Sequence, residues 1–319
     1  MKKAACGLGG LIVLLVAAAL IVPSLIDWNS YKVEISAEAK KATGRKLEIA
    51  GDLELGILPT PHVRASDVRF SNAAGAAAAH MATLKELRAS VKLLPLLSGN
   101  VEIASIEIVE PVINLEKLAD STGNWEFSPP PGDAAKPASD TSSAGSEKSD
   151  PQALSLDLLR IERGTIVYRD AVSGSIQRVV NLTADMSAGS LTGPFTIKGG
   201  LAYKGAPVTI DGQVGKLADK SAIPFDIALG TETTDARLAL TGNVTDVEAT
   251  PAITAKLEGQ GDNLGALVAS LSGQPPPAAL KRQFSLAASM KGNAESVVVD
   301  DMALALGASK IDGTIQARL

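Results

Sequence analysis

The fold class this sequence predicts is mainly β: a long one-sided antiparallel sheet behind an N-terminal transmembrane helix and a small α+β unit. Three observations predict it. Residues 4–26 are twenty-three consecutive residues without a charge. From about residue 180 onward, apolar and polar residues alternate with period two through one short segment after another. The chain is also poor in residues that build active sites, with two His, one Cys and 3% aromatics in 319 residues.

The apolar run comes first. Between Leu8 and Val22, ten side chains are Leu, Ile or Val. At roughly −0.3 to −0.6 kcal/mol each, they favour the bilayer by about 3–6 kcal/mol. As a helix the run is roughly 34 Å long, enough to cross a ~30 Å hydrocarbon core. Lys2 and Lys3 precede it, so the positive-inside rule places Met1 in the cytoplasm and residues after Ile26 outside. Trp28 and Tyr31 fall where interfacial aromatics belong. A cleaved signal peptide is the competing reading, with Ala17, Ala18 and Ala19 as its small-residue site. The run exceeds the roughly 7–15 residues of a signal-peptide core, and Pro23 follows it. We therefore read residues 1–27 as a cytoplasmic stub and a retained anchor. Cys6 precedes the apolar core, which excludes a lipoprotein.

Residues 28–127 read as an α+β unit. Trp28 to Thr43 predicts a short helix with Asn29 or Ser30 as N-cap and Gly44 as stop. Tyr31, Ile35, Ala39 and Ala42 share one face of it. Lys32, Lys40, Lys41, Arg45 and Lys46 outnumber Glu34 and Glu38, which suits either anionic headgroups or a solvated face. Strands follow around Leu47, Ile49 and Leu53, then from Val63 to Phe70. Residues 73–79 make an alanine-rich connection. Leu87, Ala89, Val91 and Leu93 alternate strictly, ahead of a turn at 95–99. Val101 and Ile103, then Ile106 and Ile108, change parity, which places a bulge near Ala104. Pro111 opens a further strand, and Gly123, Asn124 and Trp125 close the section.

Residues 128–151 differ in kind. Prolines, serines, small residues and mixed charges without apolar periodicity predict a disordered linker or long surface loop, which separates two domains or is an insertion in one continuous sheet, the reading we favour. Residues 152–319 then read as an antiparallel module of about a dozen strands. Val180, Leu182, Ala184 and Met186 share one parity. So do Phe195, Ile197, Leu201 and Tyr203, then Val208 and Ile210, then Phe225, Ile227 and Leu229. Leu238 and Leu240, then Ile253 and Leu257, continue the pattern. Their neighbours are mostly polar, among them Thr196, Lys198, Thr209, Asp211, Thr241 and Lys256. One helix interrupts the strands at 263–271, with Asp262 as cap and Gly273 as stop. The stretch 311–319 alternates to the last residue, so we read the chain as a fragment or an abbreviated member of its kind.

Recognisable chemistry is scarce. His62 and His80 are eighteen residues apart with no cysteine nearby, a poor start for a metal site. No Gly-x-Ser-x-Gly elbow occurs. Gly199 and Gly200 fall between strands rather than before a long helix, so they make no phosphate loop. Asp300 and Asp301 are consecutive, which in a strand points them to opposite faces. A formal charge of −5 argues against nucleic-acid binding. We expect a non-enzyme without cofactor or metal.

The apolar stripe needs cover, and one helix cannot supply it for so many strands. From the residues alone, a dry sandwich and a gutter that holds apolar ligands fit equally well. Pro23 and Asp27, Thr43-Gly44-Arg45, Pro59-Thr60-Pro61, Met81-Ala82, Pro95-Leu96-Leu97-Ser98-Gly99, Pro111 and Gly123-Asn124-Trp125 add a further signal. In this order and spacing they resemble the N-terminal region of the AsmA family, inner-membrane-anchored periplasmic proteins of Gram-negative bacteria. Gly164-Thr165-Ile166-Val167-Tyr168, Leu306-Gly307-Ala308-Ser309 and Asp312-Gly313 extend the resemblance over nearly the whole chain except the linker. The resemblance favours the gutter, a long one-sided antiparallel sheet curled into a groove, and implies a bridge-type lipid transfer protein with phospholipid cargo. About a dozen strands at ~4.8 Å spacing make a groove of roughly 60 Å, which needs an envelope protein partner or further chain to reach the opposite membrane. The groove candidates are then Phe195, Ile197, Leu201, Tyr203, Val208, Ile210, Phe225, Ile227, Leu229, Leu238, Leu240, Ile253 and Leu257. The competing function is a structural or assembly factor that affects outer-membrane proteins through protein contacts.

Overall fold

The computed structural model describes residues 26–57, 60–97, 102–127, 156–190, 192–217, 222–231, 235–246, 251–293 and 296–318. The predicted anchor, apart from Ile26, and the predicted linker lie outside the described residues. Among the described residues no helix is long and apolar enough to cross a membrane. The protein is mainly β, with sixteen strands assigned to one large sheet. It divides into two compact units, residues 1–149 with 167–177, and residues 150–166 with 178–319.

The first unit begins with a 3-10 turn at Trp28–Tyr31 that leads into helix α1 (Lys32–Thr43). The cap is Asp27, not the predicted Asn29 or Ser30. Its carboxylate accepts the Asn29 amide at 3.0 Å. Asn29 instead tethers the turn to the sheet by accepting the Leu53 amide at 3.1 Å. Gly44 ends the helix at φ 73°, donating to the Lys40 carbonyl at 2.8 Å. A left-handed stop of this kind suits a residue without Cβ.

Six strands follow: β1 (Leu47–Ile49), β2 (Leu53–Gly56), β3 (His62–Ser71), β4 (His80–Val91), β5 (Ile103–Val109) and β6 (Val112–Lys117). Leu53, Ala65 and Val68 form a small buried core, with Trp28, Leu47, Ile49, Leu84 and Leu87 against it. Ser90 pairs with Ser105 and Val91 with Ile103, so the bulge falls at Ala104 as the parity change predicts. A short helix α2 (Leu93–Leu97) follows β4 and takes in the first part of the predicted turn at 95–99, of which residues 98 and 99 lie outside the described residues.

Among the described residues ten strands follow the predicted linker. They are β7 (Leu156–Asp170), β8 (Ile176–Ala188), β9 (Phe195–Tyr203), β10 (Ala206–Val214), β11 (Ile223–Thr231), β12 (Ala236–Thr245), β13 (Ala252–Gly261), β14 (Phe284–Gly292), β15 (Ser296–Leu306) and β16 (Ser309–Arg318). From β8 to β16 each strand pairs antiparallel with the next. Helix α3 (Leu264–Ser272) interrupts the meander. Its cap is Asn263 rather than Asp262, because the Asn263 side chain accepts the Ala266 amide at 2.9 Å.

Two further expectations need correction. Gly199 and Gly200 lie inside β9, not between strands. A Cβ at Gly199 would fall on the Thr183 carbonyl oxygen, so the close approach of β8 there demands glycine. Val180 also does not share a face with Ala184 and Met186. It pairs with Ala202 while Thr183 pairs with Gly200, so Asn181 and Leu182 together oppose one residue. That bulge, with Asn181 at φ 53°, reverses the parity of the strand.

Candidate functional site

Directly paired residues of an antiparallel ladder point to the same face, so the registers of the second unit fix which side chains share a surface. Ile197, Gly212, Ile227, Leu240, Leu257 and Ala288 form one continuous row across β9 to β14. A second row runs Ile210, Leu229, Leu238, Gly259, Leu286 and Leu304. A third runs Phe195, Val214, Phe225, Gly242, Ala255 and Met290. Leu201 pairs with Val208, Tyr203 with Ala206, and Ile253 with Val244, on the same side. All thirteen groove candidates therefore lie on one face of the sheet.

Cover over this face is partial. At one end of the strands α3 lies on it. Ala236, Leu267, Phe284 and Leu306 are buried together there, with Leu264, Leu280 and Leu304 packed against them. Lys204, in the turn between β9 and β10, donates to the Ser272 carbonyl at 3.1 Å and holds the C-terminal end of the helix. Away from this end the side chains stay open. Phe284 is 3% exposed under the helix, whereas Leu229 is 36% and Ile253 38% exposed in the uncovered rows. None of the thirteen candidates is buried. Glycine and alanine at 212, 242, 255 and 259 lower the floor between the large side chains.

The opposite face is polar and charged. Arg160 grips Asp185 with two hydrogen bonds of 2.8 and 2.9 Å, and Lys198 lies 3.7 Å from Asp211. The hydrogen bonds from Arg160 hold the Asp185 carboxyl below its ordinary range. Thr196, Gln213, Asp226, Thr241, Lys256, Ser289 and Asp300 make a cross-strand row on this side. With Phe195, Val214, Phe225, Gly242, Ala255 and Met290 of the third row, they line a cavity of about 830 Å³. Asp300 and Asp301 both line it, as do consecutive residues of other strands such as Thr241 and Gly242. A bulge at Asp301, φ 50°, breaks the alternation. Sequence reading missed this cavity, because alternation along a strand has the same pattern whether the strand lines a depression or a plain surface.

The first unit adds an apolar cleft of about 730 Å³ between α1 and strands β2 and β3. Tyr31, Ile35, Ala39 and Ala42, the residues that share a face of the predicted helix, line it with Trp28, Leu53, Leu55 and Val63. Its volume lies within the ~300–1,000 Å³ range of ligand pockets. His62 and His80 open the antiparallel neighbours β3 and β4 and so sit at opposite ends of that pair. Among the described residues no cluster of three or more His, Cys, Asp or Glu side chains is placed to hold a metal ion.

Fold and faces together define a β-sheet protein that presents an extended apolar surface, closed at one end by a helix. The AsmA family model matches residues 1–223, and the chain belongs to the AsmA family. It is similar to the AsmA family protein YhjG of Escherichia coli (strain K12), at 25% identity over 294 residues. That alignment covers 83% of this chain and 42% of YhjG, so the chain spans less than half the length of this relative. No solved structure matches the chain.

Proposed function

We propose that this protein is anchored in the inner membrane by residues 4–26, with most of its chain in the periplasm. There it binds or conducts phospholipid along the apolar face of β9–β13, in support of outer-membrane assembly or homeostasis. The observation that carries the reading is the open state of that face. A dry core would bury its central Leu, Ile and Phe residues, yet all thirteen candidates retain solvent exposure. An exposed apolar surface of this continuity is a binding surface, and its alternation of large and small side chains suits flexible acyl chains. The cleft beside α1 offers a second apolar site close to the predicted anchor.

The other reading is a structural or assembly factor that works through protein contacts. Its support is the edge strand β16, where Ile311 is 48% and Ile315 52% exposed beside unpaired backbone groups. Native mass spectrometry of the full chain, extracted from membranes in mild detergent, separates the two. Co-purified phospholipid in stoichiometric amount supports the lipid reading. Apo-protein throughout, with lipid removed as readily as from an unrelated single-pass protein, overturns it.

A further inference from the structure

Leu93, Leu94 and Leu96 of α2 are 46%, 80% and 38% exposed. Three leucines on one short helix are an unusual display for a tip that meets only water. Their position supplies a reason. Gly56 ends β2 opposite His62, His62 starts β3 opposite Ser90, and the Val91 amide donates to the Pro61 carbonyl at 2.9 Å. The ends of β2, β3 and β4 thus form one rim, and α2 follows from it through Lys92. Ile26 and Asp27 share a small cavity with Leu53, Glu54 and Leu55 of β2. At ~3.3 Å per residue, Leu53 is about 10 Å from the same rim. The uncharged run 4–26 therefore ends at the edge of the unit that carries the exposed leucines.

We propose that Leu93, Leu94 and Leu96 enter the lipid leaflet beside the point where the chain leaves the membrane. This second contact fixes the orientation of the first unit on the bilayer surface, which one anchor alone leaves free to swivel. The inference rests on the reading of residues 4–26 as an anchor. It goes beyond that reading by assigning the leucine tip to lipid rather than to a protein partner.

The full chain, with Cys6→Ser and Leu94→Cys, would carry an environment-sensitive fluorophore in vesicles of phosphatidylethanolamine and phosphatidylglycerol with mid-chain brominated acyl groups. A parallel sample would carry the probe at Val172→Cys, in the turn between β7 and β8, where Val172 is 62% exposed. The neighbouring Ala171 amide donates to the Lys117 carbonyl at the end of β6. Since β6 pairs with the start of β4 at Ala82 and Thr83, this turn is at the far end of the unit from α2. The expected result is bromine quenching at least several-fold stronger at position 94 than at 172. Equal quenching at both positions overturns the inference, as does a blue-shifted but unquenched probe at 94, which would reveal a protein partner over the leucines. Vesicle flotation keeps the two ideas apart. A chain that fails to float with lipid removes the anchor and the leucine contact together, whereas a floating chain with no quenching at 94 removes the contact alone.

Discussion

Asn124 has no exposed surface, and around it the residue-scale logic of the first unit is visible. Its side chain accepts the Glu116 amide at 2.9 Å and donates to the Asn72 side chain at 2.8 Å and the Asn114 carbonyl at 2.7 Å. Glu116, 4% exposed, in turn accepts the amides of Ala77 and Ala78 at 2.7 and 2.9 Å. The alanine-rich connection 73–79 is thus pinned by a carboxylate. Arg45 meets Met81 Sδ at 3.1 Å, donates to the Glu126 carbonyl at 3.3 Å and stacks over Phe127. Residues that carry the family resemblance from distant places in the chain therefore converge. Asn124→Ala removes a partner from the Glu116 amide, the Asn114 carbonyl and the Asn72 side-chain oxygen, of which the last still accepts the Ala73 amide at 2.9 Å, at roughly 1–3 kcal/mol for each group left unpaired that cannot reach water. We expect a loss of about 2–4 kcal/mol in chemical denaturation of the detergent-solubilised chain. A change within ~0.5 kcal/mol would mean that water replaces the amide. The motif Gly123-Asn124-Trp125 was legible as a motif, but Glu116 was not. Its partners are 38 and 39 positions away, and no local pattern encodes them.

At the scale of the element, parity carried most of what could be read. Period two grouped the thirteen apolar side chains that the ladder registers put on one face, and a parity break located the bulge at Ala104. It failed at Val180 and broke at Asp301, both times because of a bulge. Both bulges contain a residue at positive φ, Asn181 and Asp301, and Asn and Asp reach that region more readily than most residue types. An Asn or Asp at a parity break is the signal that reads these positions. Glycines inside strands divide by the same local geometry. A Cβ at Gly242 would collide with the Thr254 carbonyl oxygen and come within 2.7 Å of Ala255 Cα, backbone that cannot swing aside. At Gly212 the nearest atom is 3.5 Å away, an ordinary contact. Gly242→Ala should therefore cost about 1–3 kcal/mol, as overpacking does, and Gly212→Ala should leave stability unchanged or slightly raised. Thermal unfolding of the two variants side by side checks this. Equal melting temperatures would show that β12 and β13 separate more easily than their ladder implies.

At the scale of the whole molecule, the open apolar face and the polar face make opposite demands at adjacent residues. Leu240 is between Ile227 and Leu257 on the apolar side, and Thr241 is between Asp226 and Lys256 on the polar side. Leu240→Asp and Thr241→Asp thus introduce the same carboxylate on opposite faces. Thr241→Asp gains Lys256 as a counter-charge against Asp226 and stays in water, so it should change neither expression nor lipid content. If a further layer covered the apolar face, Leu240→Asp would bury a charge without a partner. That costs several kcal/mol, comparable to the margin of a whole domain, and the protein would unfold. With the face open, the carboxylate turns to water and the sheet persists. If the face carries lipid as proposed, acyl chains would have to pass a charged band midway along the row. We expect Leu240→Asp to express and melt normally, to lose its co-purified phospholipid in native mass spectrometry, and to reproduce the envelope phenotype of a deletion. Unfolding of Leu240→Asp would put a covering layer over the face. A folded Leu240→Asp that keeps its lipid would move the lipid elsewhere, with the cleft beside α1 the next place to test. Identical behaviour of the two variants would contradict the ladder register itself, since only opposite faces can tell one carboxylate from the other.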